Sequence, residues 1–586
     1  MKLLRKVCLN LKDYIEKYGY REVIMKFYDL KRLRATVPYP LRMVLRFVGL
    51  FFILFFCYIW FKPLYVIGNA GGGTVFRAGS FAQTISLILI LLVVGYGVWL
   101  FVKKELTAEK FIIIVFLLAM IIRFCYLLVT SPNTRQYDTY SGNYDGHEAY
   151  AWGLYEDFQM PQTNDYQFYH PPLNAFLQAM FMHLTNGLTR LYSSIFGASE
   201  YFMKAFNDGK PDWLNSYRFY LYGTCQILAY MYSVIIMIFG LKILKLIGLK
   251  GKNLVFWFAF FALFPRHIIS SATLNNDHLA YLFTIAAAYY ALKWWIKTKS
   301  LKDILICAVM IGLGISTKLS AATVCLPIGL IFLYELIISL KKSIASLPFK
   351  EILKQYSLFL LVCAPIALSF IVYAKIKFNQ PIGFVFSNLN DALSTKDISI
   401  FERFVVSFDK NEYFYTMYLR PFYNSTTDIN NNHNLWNYLI RSSLFGEFSY
   451  WQGENFAFLA ICLMTVLPVI SIAMLIIMFV VRAKRKYAKI GYSWLNIGVD
   501  QKALYFGMAL MLTQVLSMIY FYLRMPYSCT MDFRYILPSI ISFALIFSNF
   551  EECVALDKKY EKFNLVFKGI IVVLIVTMFL FFMCAI

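Results

Sequence analysis

Ala82-Gln83-Thr84-Ile85-Ser86-Leu87-Ile88-Leu89-Ile90-Leu91-Leu92-Val93-Val94-Gly95-Tyr96-Gly97-Val98-Trp99-Leu100-Phe101-Val102 carries no charge along its length and stops at Lys103-Lys104. As a helix it covers about 30 Å, the thickness of a bilayer's hydrocarbon core. The run is continuously apolar rather than alternating, so it reads as a membrane helix and not as a strand of a membrane β-barrel. The two lysines at its end mark a cytoplasmic border.

Twelve further runs of the same kind extend to both sides of it. They lie at 45–67, 111–130, 218–246, 253–272, 278–296, 303–317, 319–340, 356–377, 455–482, 503–524, 535–550 and 563–585. Those at 303–317 and 535–550 are short for a full crossing. Hydrophobic residues make up 60% of the 586 positions and charged residues 15%, so the apolar character belongs to the whole chain and not to one anchor. The expectation is an all-α polytopic membrane protein with about 13 transmembrane helices.

The net charge of +23 follows from orientation. Basic residues gather in the first 46 positions and at 103–104, 250–252, 297–302, 341–354 and 482–489. The positive-inside rule places these segments and the N-terminus in the cytoplasm. No nucleic-acid partner is expected, whereas anionic membrane lipid headgroups would attract such segments. Residues 1–42 are partly amphipathic (Leu9, Leu11, Tyr14, Ile15, Tyr18) and read as a helix lying on the cytoplasmic surface. Eleven cysteines occur with no CxxC pair and read as packing residues.

This topology orders the chain as a basic segment (1–42), three spans (43–130), a first long outer loop (131–217), a core of spans (218–377), a second long outer loop (378–454) and C-terminal spans (455–586). The two long loops are dense in aromatic residues and poor in tether-like Ser, Gly and Pro clusters, so they read as folded segments that carry function. Neither internal repeats nor paired interrupted spans are visible in the sequence, and ionisable residues inside spans are few, with Arg123 and Arg266-His267 the clearest. These features count against a transporter or flippase.

Four motifs fall on the predicted outer side. The first loop opens with Tyr144-Asp145-Gly146-His147-Glu148 and continues to His170-Pro171-Pro172-Leu173. Asp145 and Glu148, three apart, would share a helix face, although Asp145 could equally be a helix cap. The proline pair starts the next helix. Leu274-Asn275-Asn276-Asp277-His278 follows the fifth span, and Gly314-Ile315-Ser316-Thr317-Lys318 joins the seventh to the eighth. Near the twelfth stands Asp532-Phe533-Arg534-Tyr535-Ile536-Leu537-Pro538. The plain alternative for Lys318 and Arg534 is snorkelling toward headgroups.

In combination these motifs resemble the GT-C glycosyltransferases, especially the branch of protein O-mannosyltransferases and the bacterial aminoarabinose transferase of lipid A. The resemblance covers roughly 110–340 and the tail near 530. Two features depart from it. Gly146 follows Asp145 where the family often has adjacent acids, and two extra spans precede the loop.

The resemblance implies a sugar donor carried on polyprenyl phosphate, a membrane lipid, and a glycan, lipid or protein acceptor. It implies catalysis by Asp145, with Glu148 as second choice. His170, Asp277, His278, Lys318 and Arg534 would bind donor phosphate or sugar. A divalent cation (Mg or Mn) shared by Asp145 and Asp277 is compatible with the family and not required by it. Trp436 and Glu447, in the second loop, suit acceptor binding as well as an interfacial aromatic belt. The AT-rich character of the composition points to a bacterial plasma membrane. A lipid-linked polysaccharide polymerase or ligase is the alternative, and it would leave Asp145 without a role.

Overall fold

The computed structural model describes residues 39–69, 76–130, 146–196, 217–341, 347–382, 394–405, 433–446, 453–487 and 500–585. The expected surface helix in 1–42, Asp145 and Glu447 lie outside the described residues, apart from the last few positions of that first segment. Of the described residues 85% are helical, and none forms a strand. The chain divides into two units at Ile59/Trp60.

The helix α1 (Tyr39–Asn69) begins in the first unit, where Met43–Ile59 is apolar and the Phe51 and Phe55 rings stack at 5.9 Å. The second unit continues with α2 (Phe76–Val102) and α3 (Ala108–Val129). Thr107 caps α3, its hydroxyl accepting the Lys110 N–H at 3.3 Å. Between the third and fourth apolar runs come α4 (His147–Asp157), a 3-10 turn (Tyr166–Tyr169) and α5 (Leu173–Phe196).

The core follows with α6 (Tyr217–Leu246), α7 (Gly251–Leu263), α8 (Pro265–Ser270), α9 (Asp277–Lys293) and α10 (Leu301–Ile315). Next come a 3-10 turn (Leu319–Val324), α11 (Cys325–Leu340) and α12 (Phe349–Phe378). The second loop contributes α13 (Ile400–Phe404) and α14 (Leu435–Phe445). The C-terminal part is α15 (Glu454–Tyr487), α16 (Gln501–Arg524), two 3-10 turns (Ser528–Met531 and Phe533–Ile536), α17 (Ser539–Phe547), α18 (Phe550–Leu556) and α19 (Lys559–Ala585).

Each of the thirteen apolar runs falls on helix, yet among the described residues nine helices are long and apolar enough to cross a membrane, or ten if one bent pair counts as a span. The count of 13 is therefore not reproduced, for local reasons. The run at 253–272 is broken between α7 and α8, where Pro265 has no N–H to continue the ladder and holds Phe264 extended. The run at 303–317 gives a helix of 15 residues. The run at 535–550 belongs to a pair bent by 52°. The run at 45–67 lies within the 31-residue helix α1, which extends beyond the apolar stretch Met43–Ile59.

The centre of the second unit is α9, which packs against α6 on one side and α10 on the other, with α12 beyond α10. Close approach is built from small residues. A side chain at Gly240 would run into the Phe261 ring, and a Cβ at Gly312 would stand 2.8 Å from Ile366. The outward faces of α2 and α15 are rich in exposed Leu, Ile, Val and Phe, as lipid contact requires.

Candidate functional site

Asp277 opens α9, and Asn275 accepts its backbone N–H through Oδ1 at 3.3 Å. Lys318 stands where the backbone leaves α10 in an extended conformation before the next turn. Its ammonium donates to Asp277 Oδ1 at 2.6 Å. From the far end of the sequence, Arg534 brings Nε to 3.6 Å from Asp277 Oδ2. The three side chains are each no more than 10% exposed, so one carboxylate lies between two cations in a largely dry setting. Tyr535 forms a wall, with Lys318 Nζ 4.8 Å and the Arg534 guanidinium 5.2 Å from its ring centre.

Arg534 is held from behind. It sits on the 3-10 turn that Asp532 caps, Asp532 Oδ1 accepting the Arg534 backbone N–H at 2.7 Å. The same oxygen accepts Arg266 Nη2 at 2.7 Å in a fully buried ion pair. Ser442 of α14 takes the Phe533 N–H at 2.9 Å. Gly446 ends α14 with φ of +73°, a conformation that suits glycine, and a Cβ there would meet Arg266 Nη1 at 2.5 Å. The break at Pro265 therefore has a consequence: it places Arg266 beside Asp532.

The His170-Pro171-Pro172-Leu173 segment joins the same place through backbone contacts. Leu173 N–H donates to Ser316 O at 3.3 Å, two residues before Lys318. Gln178 Nε2 donates to Leu274 O at 2.7 Å, and Asn276 Nδ2 to Thr317 O at 3.3 Å. The start of α5, the Asp277 joint and the Lys318 joint are thus laced together. His170 is buried, its ring stacked on His147 at 5.7 Å and against Tyr169 at 4.0 Å. Its carbonyl accepts the Tyr150 hydroxyl at 3.3 Å, and burial pushes that phenol above its ordinary range and keeps it a donor.

Other expected residues are placed elsewhere. Glu148 makes a two-pronged ion pair with Arg218, which lies over Trp152 at 4.9 Å. Both carboxylate oxygens of Glu148 are thus engaged by one guanidinium, which ties α4 to the start of α6. His278 does not join Asp277. One position on, a helix turns through about 100°, and the His278 ring lies 6.0 Å from His267 and 6.5 Å from Tyr281. Trp436 donates its indole N–H to Phe404 O at 2.9 Å and fastens α14 to α13. The residues that sequence reading missed are Arg266, Asp532, Ser442 and Tyr535. Arg266 carried a signal as a charge within an apolar run, and Asp532 and Tyr535 as neighbours of Arg534 in its motif, whereas Ser442 carried none.

The cation expected between Asp145 and Asp277 involves a residue outside those described. Asp277 already faces an ammonium and a guanidinium, and no three His, Cys, Asp or Glu among the described residues stand close enough to hold an ion. No protein-family model matches the chain. A search of curated proteins likewise finds no match.

Proposed function

We propose that the chain is a membrane glycosyltransferase of GT-C type, moving a sugar from polyprenyl phosphate to an acceptor hydroxyl on the outer face of a bacterial plasma membrane. In this reading the thirteen apolar runs all belong to the membrane domain, with the N-terminus in the cytoplasm. One observation carries the proposal: Lys318 and Arg534 reach the same carboxylate from positions 216 residues apart, in a buried place bordered by the Pro-Pro-Leu helix. Two converging cations beside an aromatic ring suit a phosphate that arrives on a lipid.

The chemistry is one displacement. The acceptor oxygen bonds to the anomeric carbon as its proton passes to Asp145. The bond from that carbon to the phosphate oxygen breaks, and the electron pair leaves with polyprenyl phosphate. Lys318 and Arg534 receive the charge that develops on the departing oxygens. Asp277 orients the two cations and keeps them apart before the donor enters. Arg266, Asp532 and Ser442 fix the turn that carries Arg534.

The test is transfer or slow hydrolysis of radiolabelled sugar from a panel of polyprenyl-phosphate sugars, with wild type and Asp145→Asn in lipid nanodiscs. Release by wild type, with loss of at least about 100-fold in Asp145→Asn, is the expected result. Equal rates in both proteins would take the base role from Asp145. Folded wild type that neither binds nor turns over any donor would overturn the proposal.

A further inference from the structure

Behind the donor site lies a second polar cluster. Arg123, on α3, is fully buried. Its Nε donates to Ser233 Oγ at 2.7 Å and its Nη1 to Ala119 O at 3.0 Å, while Nη2 has no partner among the described residues. The titratable groups that bear on the guanidinium are the hydroxyls of Tyr230 and Tyr281 and the imidazoles of His267 and His278, with no carboxylate among the described residues. Tyr230 donates to Met120 O at 3.0 Å, and the Tyr281 hydroxyl has no partner. His267 faces Ser233 Oγ at 3.4 Å and Phe261 O at 3.3 Å. Both ring nitrogens of His278 lack partners. Arg123, Ser233, His267, His278 and Tyr281 are all 2% exposed or less.

An unpaired guanidinium is among the costliest groups to bury in an apolar bundle, and a neighbouring acid is its usual remedy. Each unsatisfied group around it has a hydrogen to give: Arg123 Nη2, the Tyr281 hydroxyl, which can also accept, and one nitrogen of the His278 ring, whose other nitrogen is an acceptor. Water could take those hydrogen bonds but would leave the charge unbalanced. We infer that Arg123, His278 and Tyr281 enclose a site for one small monovalent inorganic anion of the halide class, chloride in the cell. One guanidinium with no carboxylate beside it among the described residues calls for one negative charge, and closure to solvent favours a compact anion that can shed its water. The anion would act as the missing counter-charge between α3, α8 and α9, the last two of which carry Arg266 and Asp277.

The test is thermal unfolding of the purified full chain in detergent, in sodium chloride, sodium bromide and sodium gluconate at equal ionic strength. A saturable rise in Tm with either halide is expected in wild type, and Arg123→Gln is expected to lose it while remaining folded in gluconate. Wild-type Tm indifferent to halide, or a halide response that persists in Arg123→Gln, would overturn the inference. Should Arg123→Gln fail to fold, crystals of wild type grown in bromide decide the matter. An anomalous peak beside Arg123 Nη2 supports the site, and its absence there overturns it.

Discussion

α9 carries a charge at each end, about 24 Å apart, and the two ends are built differently. At its last residue Lys293 donates to Asp303 at 2.7 Å, and Asp303 also accepts the hydroxyls of Thr298 at 2.6 Å and Ser300 at 2.9 Å. Every partner in that knot lies within ten residues of the others, and the knot closes the turn into α10. At the first residue, Asp277 is shared by Lys318, 41 positions away, and Arg534, from the other side of the sequence. The local knot finishes a helix joint. The long-range cluster brings distant elements together with two cations facing one acid, an arrangement that a turn does not need and that an anionic substrate can use.

That contrast can be broken most directly at Arg534. Arg534→Gln should lower the rate of sugar transfer by about 100- to 1000-fold, as removal of a charged donor to a developing oxyanion does. Single-turnover rates at saturating donor would measure it, and an unchanged rate would reduce the cluster to another structural knot.

A smaller effect is expected one step back. Asp532→Asn leaves Arg266 buried without its partner and loosens the turn under Arg534. Stability should fall by about 3 kcal/mol, and the donor KM should rise roughly tenfold with a lesser change in kcat. A variant that unfolds more easily yet keeps its KM would show that Asp532 supports the fold without positioning Arg534.

The smallest effect belongs to the other end. Lys293→Met should cost no more than about 1 kcal/mol, because that ammonium is one-third exposed and its acid keeps two hydroxyl donors. Transfer should continue at the wild-type rate. A large loss of transfer there would dissolve the distinction between the two ends.

Much of the fold was legible because membrane helices announce themselves one at a time. Each apolar run satisfies its own backbone hydrogen bonds, so composition in a window of about 20 residues is enough to find it. Window reading fails where a run is interrupted from within. Pro265 was visible, but the sequence did not show that the interruption would turn Arg266 toward Asp532, 266 residues on. The site was legible in part for the same reason. Asp277, Lys318 and Arg534 could be singled out as charges at the ends of apolar runs, where burial is expensive without a purpose.

The sequence by itself determined an all-helical membrane architecture and picked out the charges at the ends of apolar runs, Asp277, Lys318 and Arg534 among them. Tertiary structure decided which of those residues meet. Asp277 and His278 are adjacent in the chain, yet the turn of the helix sends one to Lys318 and the other to His267. Glu148 looked like a free acid until Arg218 arrived from the start of α6. Hydrophobic periodicity is a property of one helix and is written locally. Ion pairs and cation clusters depend on how several helices rotate against one another, and that rotation is set by packing contacts spread over the whole bundle.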